Sequence, residues 1–568
     1  MTIRRPLGLL ICFVAACASP PPPPGPVALA DLPNINADAV LADIKSLSAD
    51  SMEGRAPGTP GEALAVNYIT EQFRAAGLEP GNPDGTWVQK VPLAGITPSD
   101  FSPLVVKKSG QTLPLRHDAD VVAFSQRVTD AISLNDGDII FAGYGVQAPE
   151  YQWDDFKGVD VKGKTIVVLV NDPPVPDAAD VSKLDPNIFG GPAMTYYGRW
   201  TYKYEKAAEL GAAAVFIVHE TGPAGYDFGV VQGFGGERFD LITPDKNVGR
   251  AAIQGWLSLD AATRLFKFAG QDYQALKTRA RSRDFTPVPL KLTASMSFKQ
   301  TVRTIDSQNV VAKLTGSDPA LKTEYVVYDA HWDHLGRGNP VNGDDIYNGA
   351  LDNASGVAML IEIAREFKKV RPAPKRTIVF LAVTAEEQGL LGSAYYAKFP
   401  LYPLEKTLAN INMDEINVRG RTSDITIIGL GASDLDDYVR DAAREQGRSV
   451  TPDAEPEKGF YYRSDHFNFA KAGVPALDPK MGDIYVGKPP GYGKERRDEW
   501  NKNDYHKPSD VVKPWWDLGG AADDGKLFLA VGYRIAQADR YPEWKPGNEF
   551  KAIRDKMLAA TGGKSGRK

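Results

Sequence analysis

A chain of 568 residues is longer than one hydrophobic core supports, so more than one domain is expected. Hydrophobic residues make up 43% and charged residues 24%, a globular balance, and the formal net charge of -6 argues against a nucleic-acid binder, which would carry a basic face or tail. No apolar run reaches the roughly 20 residues needed to span a bilayer as a helix.

The chain begins with a processing signal. Arg4 and Arg5 precede a short apolar stretch from Leu7 to Ala16. The following Val14-Ala15-Ala16-Cys17 resembles the lipobox of bacterial lipoproteins, in which the cysteine is acylated and becomes the new N-terminus. A twin-arginine signal fits the residues after the pair poorly; an ordinary signal peptide with an incidental cysteine is the alternative. The two cysteines, Cys12 and Cys17, both fall in this leader, so the mature chain would carry no disulfide. Residues 19–26 read as a stiff polyproline tether. The expected plan is a lipoprotein signal peptide at 1–16 and a Pro-rich tether at 17–30. The protein would then be exported and lipid-anchored through Cys17 at the cell envelope, on the outer-membrane or periplasmic side, or else secreted or periplasmic.

Folded structure starts near residue 31. Ala65, Ile69 and Phe73 form an apolar stripe within a predicted helix from Glu62 to Ala76, stopped by Gly77. From 130 to 285 the texture turns β-rich, with Ile139 to Ala142 and Thr165 to Val170 among Gly, Pro and Asp turns. His219 stands alone there and reads as structural. The aromatic run Tyr196-Tyr197-Gly198-Arg199-Trp200-Thr201-Tyr202 either faces a cleft or packs.

From about 290 onward strands alternate with helices. Tyr325 to Ala330, Thr377 to Val383 and Ile425 to Ile428 are continuous apolar runs, suited to strands buried on both faces of a parallel sheet. Val357 to Lys368 and Asp434 to Gln446 are predicted helices. The fold class expected is α/β: a three-layer αβα domain at 31–125 and 290–560, its mostly parallel central sheet carrying the site at the carboxyl ends of the strands, with a β-rich domain inserted at 130–285.

The chain has six histidines, and four gather with carboxylates. Asp329-Ala330-His331-Trp332-Asp333-His334 ends a buried strand, where His331 is placed as an imidazole ligand and Asp333 can accept the other ring N–H. Asp352-Asn353-Ala354-Ser355-Gly356 opens a helix, and taken alone Asp352 reads as its cap. Glu386-Glu387 follows another buried strand, where adjacent carboxylates are costly unless a cation or proton offsets their repulsion; a solvated helix start is the alternative. Asn412-Met413-Asp414-Glu415 and Asp504-Tyr505-His506 complete the series.

In this order and spacing the segments resemble the di-zinc exopeptidases of metallopeptidase family 28, which include bacterial leucyl aminopeptidases, glutamate carboxypeptidases and glutaminyl cyclases. The matching motifs are His331-x-Asp333, Asp352-Asn353-Ala354-Ser355-Gly356, Glu386-Glu387-x-Gly389-Leu390-Leu391-Gly392-Ser393, Asn412-x-Asp414 and Tyr505-His506. Met52-Glu53-Gly54-Arg55 resembles the family's N-terminal signature. Phe141 to Gly145 and Lys206 to Ala212 resemble a protease-associated domain. The resemblance implies two zinc ions, one on His331 and Asp414, the other on Glu387 and His506, with Asp352 bridging. It implies Glu386 as general base and acid, Asp333 as the group orienting His331, and Tyr461, or its competitor Tyr462, as the group polarising the scissile carbonyl. It also implies a cis peptide at Asp352-Asn353. Asp352, Glu387 and Asp414 would contribute -3 against +4 from two zinc ions, leaving a cationic cluster able to activate water.

One departure is Glu415, where relatives usually have methionine; it could meet a substrate's ammonium or pair with a neighbour such as Arg419. Pro489 to Lys502 could form a rim over the site or a solvated loop. The leading expectation is an aminopeptidase acting on peptides. The alternatives are a glutamate carboxypeptidase-like enzyme, which would need basic residues around the site, and a non-catalytic receptor-like member of the same fold.

Overall fold

The computed structural model describes residues 27–233 and 236–560. The leader, Cys17 and the polyproline run lie outside the described residues. Among these residues no helix is long and apolar enough to cross a membrane.

The strands of the second half form because their side chains are buried on both faces. Thr377–Val383, Tyr325–His331, Thr407–Asn412 and Ala476–Met481 lie side by side in that order, all parallel. Alternate residues divide between two cores. Val326, Tyr328, Ala330, Ile378, Phe380 and Ala382 pack under the helices Ser355–Phe367 and Gly519–Gln537. Val327, Val379, Leu381 and Val383 face the opposite layer with Tyr396, Phe467 and Phe469. The result is the expected three-layer α/β arrangement with a mostly parallel central sheet. One run departs from the expectation: Asp424–Ile428 is buried as predicted but runs antiparallel to Ala476–Met481, with Ser449–Pro452 parallel beside it.

The region from 131 to 257 builds a second parallel array. Ala131–Phe141, Thr165–Leu169, Ala214–Val218 and Ile253–Leu257 are successive parallel neighbours, and Val121–Phe124 closes the array antiparallel to the last. One strand of 27 residues, Val288–Leu314, joins both arrays. Its first part pairs with Ala131–Phe141 and Leu104–Lys108, its middle with Val88–Ser99, and its end with Thr377–Val383. Its burial alternates at first, as for a strand with one solvated face, and becomes continuous where it enters the central sheet.

Gly532 sets how closely the 519–537 helix approaches this sheet. A Cβ there would lie 1.8 Å from the Tyr328 hydroxyl, which itself donates to the Phe528 carbonyl at 2.7 Å. Gly532→Ala is therefore expected to cost about 1–3 kcal/mol through overpacking and to lower the melting temperature by a few degrees. An unchanged melting curve would show that the helix can move aside freely.

Candidate metal centre

The groups singled out in the sequence converge at the carboxyl ends of the parallel strands. His331 is the last residue of its strand. Glu386 and Glu387 come three and four residues after Thr377–Val383, and Asp414 two after Thr407–Asn412. Asp352 sits in the irregular turn ahead of Ser355–Phe367, and His506 follows the helix Tyr492–Asn503, so most of the 489–502 stretch is helical and not an irregular loop.

Asp352 lies between the two histidines. Its Oδ1 is 3.3 Å from His331 Nε2, and its Oδ2 is 3.3 Å from His506 Nε2. Asp414 Oδ1 lies 3.4 Å from His331 Nε2, and Glu387 Oε2 lies 3.1 Å from His506 Nε2. Each carboxylate oxygen of Asp352 thus faces a different half of the cluster. The Asp352–Asn353 peptide is cis.

Local chemistry explains why Asp352 is free for this position. The helix cap is provided by its neighbour: Asn353 Oδ1 accepts from the Gly356 amide at 2.9 Å and from the Glu415 amide at 3.0 Å. The turn itself hangs on Asp510, whose buried carboxylate accepts from the amides of Leu351 and Asp352 at 3.0 and 3.1 Å. Beneath it, the buried Arg55 donates to the carbonyls of Leu47, Trp332, Asn348 and Gly349. Gly54 makes that insertion possible, since a Cβ there would lie 2.4 Å from the Tyr347 carbonyl. The N-terminal signature motif is thus a brace under the cluster.

The orienting role expected of the Asp333 carboxylate is divided differently. His331 Nδ1 meets the Asp333 main-chain carbonyl at 3.1 Å, whereas the carboxylate is 3.8 Å away. That carboxylate instead accepts from the amides of Glu386 and Glu387, at 3.1 and 3.4 Å, and so fixes the acidic pair. The Glu386 carboxyl is pushed well above its ordinary range by burial and by Glu387, Asp414 and Asp465, against the pull of His331.

His334 had no role in the sequence reading, yet it is wholly buried against the cluster, with Nδ1 2.7 Å from Glu387 Oε1. The approach lacks hydrogen-bond direction, so both ring nitrogens and that oxygen are left without a hydrogen-bonding partner. Its signal was only its place in the His331 run; its burial comes from Gly349, 15 residues on, whose backbone closes over the ring. Tyr461, the residue expected to polarise the carbonyl, makes no hydrogen bond or ion pair with the donor groups. Its ring packs edge-on to His466 at 4.7 Å and beside Phe550, and its hydroxyl is buried without a partner. Tyr505 instead stacks on the His506 ring at 3.8 Å.

The donor set fits a cation. Atoms of His331, Asp352 and Asp414 lie within 4.8 Å of one another, as do atoms of His334, Asp352 and Glu387. Burial opposes a charged His331, yet Glu386, Asp352 and Asp414 still drive its pKa well above the ordinary value. The Lys480 ammonium, 3.6 Å from Asp414 Oδ2 and donating to the Asp414 carbonyl at 2.6 Å, supplies part of the balance. A three-layer α/β sheet with buried His and Asp/Glu donors at its strand ends is the arrangement of a metal-binding centre.

Comparison with known proteins points the same way. Residues 309–528 match the sequence model of Peptidase family M28. A probable zinc metalloprotease of Pyrenophora teres f. teres is 38% identical over 112 residues, 20% of this chain and 23% of the relative. Another, from Pyrenophora tritici-repentis, is 28% identical over 280 residues, 41% of this chain and 52% of the relative. Aminopeptidase YwaD of Bacillus subtilis is 30% identical over 198 residues, 34% of this chain and 39% of the relative. The chain thus spans about half or less of the length of these relatives. Among solved structures, an aminopeptidase from Aneurinibacillus sp. strain AM-1 aligns over 89% of this chain and 94% of its own, at 20% identity and a TM-score of 0.46.

Asp510 is a positioning residue for the Asp352 turn. Asp510→Ala is expected to weaken metal binding by about 10–100-fold, read by competition with a chromogenic chelator. Affinity within about twofold of wild type would rule out that role.

Proposed function

We propose that this chain is a zinc-dependent aminopeptidase that releases N-terminal residues from peptides. The observation that carries this reading is Asp352, with one oxygen toward His331 and the other toward His506, inside a donor set matched in sequence by Peptidase family M28.

Two zinc ions, one held by His331, Asp414 and Asp352 and the other by Glu387, His506 and Asp352, would supply Lewis acidity toward the scissile carbonyl and lower the pKa of an attacking water. Glu386 is next to a ligand but not spent as one. Its carboxylate takes the proton from the attacking water and returns it to the leaving amine. Asp333 holds Glu386 in place through its backbone amide, and the Asp333 carbonyl fixes the ring nitrogen of His331 that faces away from the cluster. His334 packs against Glu387 and restricts its carboxylate.

The direction of attack is supported by Glu415. No ion pair joins its carboxylate to Arg419, whose guanidinium lies over Trp515 instead. Glu415 lies in the field of Lys480, Asp414, Asp352 and Asp510, and burial pushes it up to about 8. So raised, the group is largely a neutral carboxyl near pH 7, and a substrate ammonium beside it would favour the ionised form. Two further readings rest on sequence: the β-rich insertion is a protease-associated domain, and Cys17 carries a lipid that holds the enzyme at the cell envelope.

Glu386→Gln should lower kcat by about 10²–10⁴-fold while KM moves little. Full activity in that variant would sink the mechanism. Chelation should abolish turnover and zinc should restore it. Peptides with an acetylated N-terminus should resist cleavage; equal rates on blocked and free peptides would exclude aminopeptidase action.

A further inference from the structure

His334 touches the metal centre, yet the zinc reading gives it only a packing role. It closes the run that follows the strand Tyr325–His331, and its side chain is fully buried. Gly349 shuts it in, since a Cβ there would lie 2.5 Å from the ring carbon Cγ. Its Nδ1 stands 2.7 Å from Glu387 Oε1, and no hydrogen bond joins the two atoms. Both ring nitrogens and that oxygen are buried with no other hydrogen-bonding partner. Burying such atoms in contact with nothing shared between them is costly. Ligands of one ion are related in this way: they touch side by side, each aimed at the ion and neither at the other.

His466 is the contrast. It is also fully buried with both ring nitrogens unpartnered, but Asp478 Oδ2 is 3.8 Å away, and among the described residues it belongs to no donor group. His334 does, because donor atoms of His334, Asp352 and Glu387 lie within 4.8 Å of one another. His506 reaches the same two carboxylates, 3.3 Å from Asp352 Oδ2 and 3.1 Å from Glu387 Oε2. The Glu387 half of the centre therefore offers four residues, His334, Asp352, Glu387 and His506. The other half offers three, His331, Asp352 and Asp414. There the second oxygen of Asp414 also lies 3.6 Å from the Lys480 ammonium, whose fixed charge weakens the pull on a cation. Sites closed by four residues hold zinc firmly, whereas sites with three keep a position for water.

We propose that His334 is a fourth ligand in the Glu387 half, through Nδ1, so that this half is closed, fills first and holds its ion more tightly. The His331–Asp414 half is then the one that keeps a position for the attacking water. His334 ligation rests on the zinc reading but not on Glu386 or the direction of attack.

The full chain, stripped of metal, is titrated with zinc against a chromogenic chelator, and the one-zinc form is measured by X-ray absorption. Two steps are expected, the first at least about tenfold tighter than the second. The first ion should carry two imidazoles, and His331→Gln should leave that step and both imidazoles unchanged. His334→Gln should weaken the tight site at least about 100-fold and leave one imidazole on the first ion. If His334→Gln does not fold, the counts in wild type and His331→Gln decide. One imidazole on the first ion of wild type, equal affinities for the two ions, or a tight step that survives His334→Gln would overturn the assignment. If zinc binds with one imidazole, His334 ligation fails and the zinc reading stands. If no zinc binds, both fail.

Discussion

Burial of several carboxylates at one end of a parallel sheet is the constraint around which this protein is organised. Asp333, Asp352, Glu387, Asp414 and Asp510 crowd a volume from which water is largely removed, and like charges so placed repel strongly. The fold answers with three devices. Asp333 and Asp510 are satisfied by pairs of backbone amides, Asp414 by Lys480, and the turn at Asp352 by the Arg55 brace. What these devices leave unsatisfied is the inner set of oxygens and imidazole nitrogens. That remainder has the donor chemistry of a divalent metal site.

How much of this could be read from the sequence depended on the range of the cause. The core strands were legible because burial on both faces writes itself as an uninterrupted apolar run, and Thr377–Val383 came out residue for residue. The direction of Asp424–Ile428 was not legible, since an antiparallel neighbour leaves the same apolar run. Asp352 was ambiguous for a comparable reason: a helix cap and a metal ligand draw on the same residue types at the same place. The structure resolves this by giving the cap to Asn353, one residue later. His334, Arg55 and Asp510 were missed as site residues because their partners are distant in the chain. Asp510 bonds amides 158 and 159 residues away, and no local pattern encodes such a contact.

The strand Val288–Leu314 is a second feature the sequence did not announce. Its alternating first part and continuous second part resemble two separate elements, and a domain boundary near 290 follows naturally from the change in texture. Strand pairing instead continues, with two register shifts in its first part, from Ala131–Phe141 through Val88–Ser99 to the strand that leads to Glu386 and Glu387. A covalent and hydrogen-bonded spine of that kind limits how far the 131–257 region can tilt about the central sheet. Aromatic docking through Tyr196 secures the other side.

The candidate donors all come from 331–506, on the central sheet and its loops, and none comes from the 131–257 region. The two regions nonetheless meet. Tyr196 packs on Tyr462 and Phe467, and the segment between those rings is bonded behind the centre, where Ser464 accepts from Asn412 and Asp465 accepts from Ser393. A shift of the loops that carry the donors would therefore be felt at the aromatic contact. A change on the 131–257 side of that contact can be absorbed there, leaving His331, Asp352 and Glu387 in place.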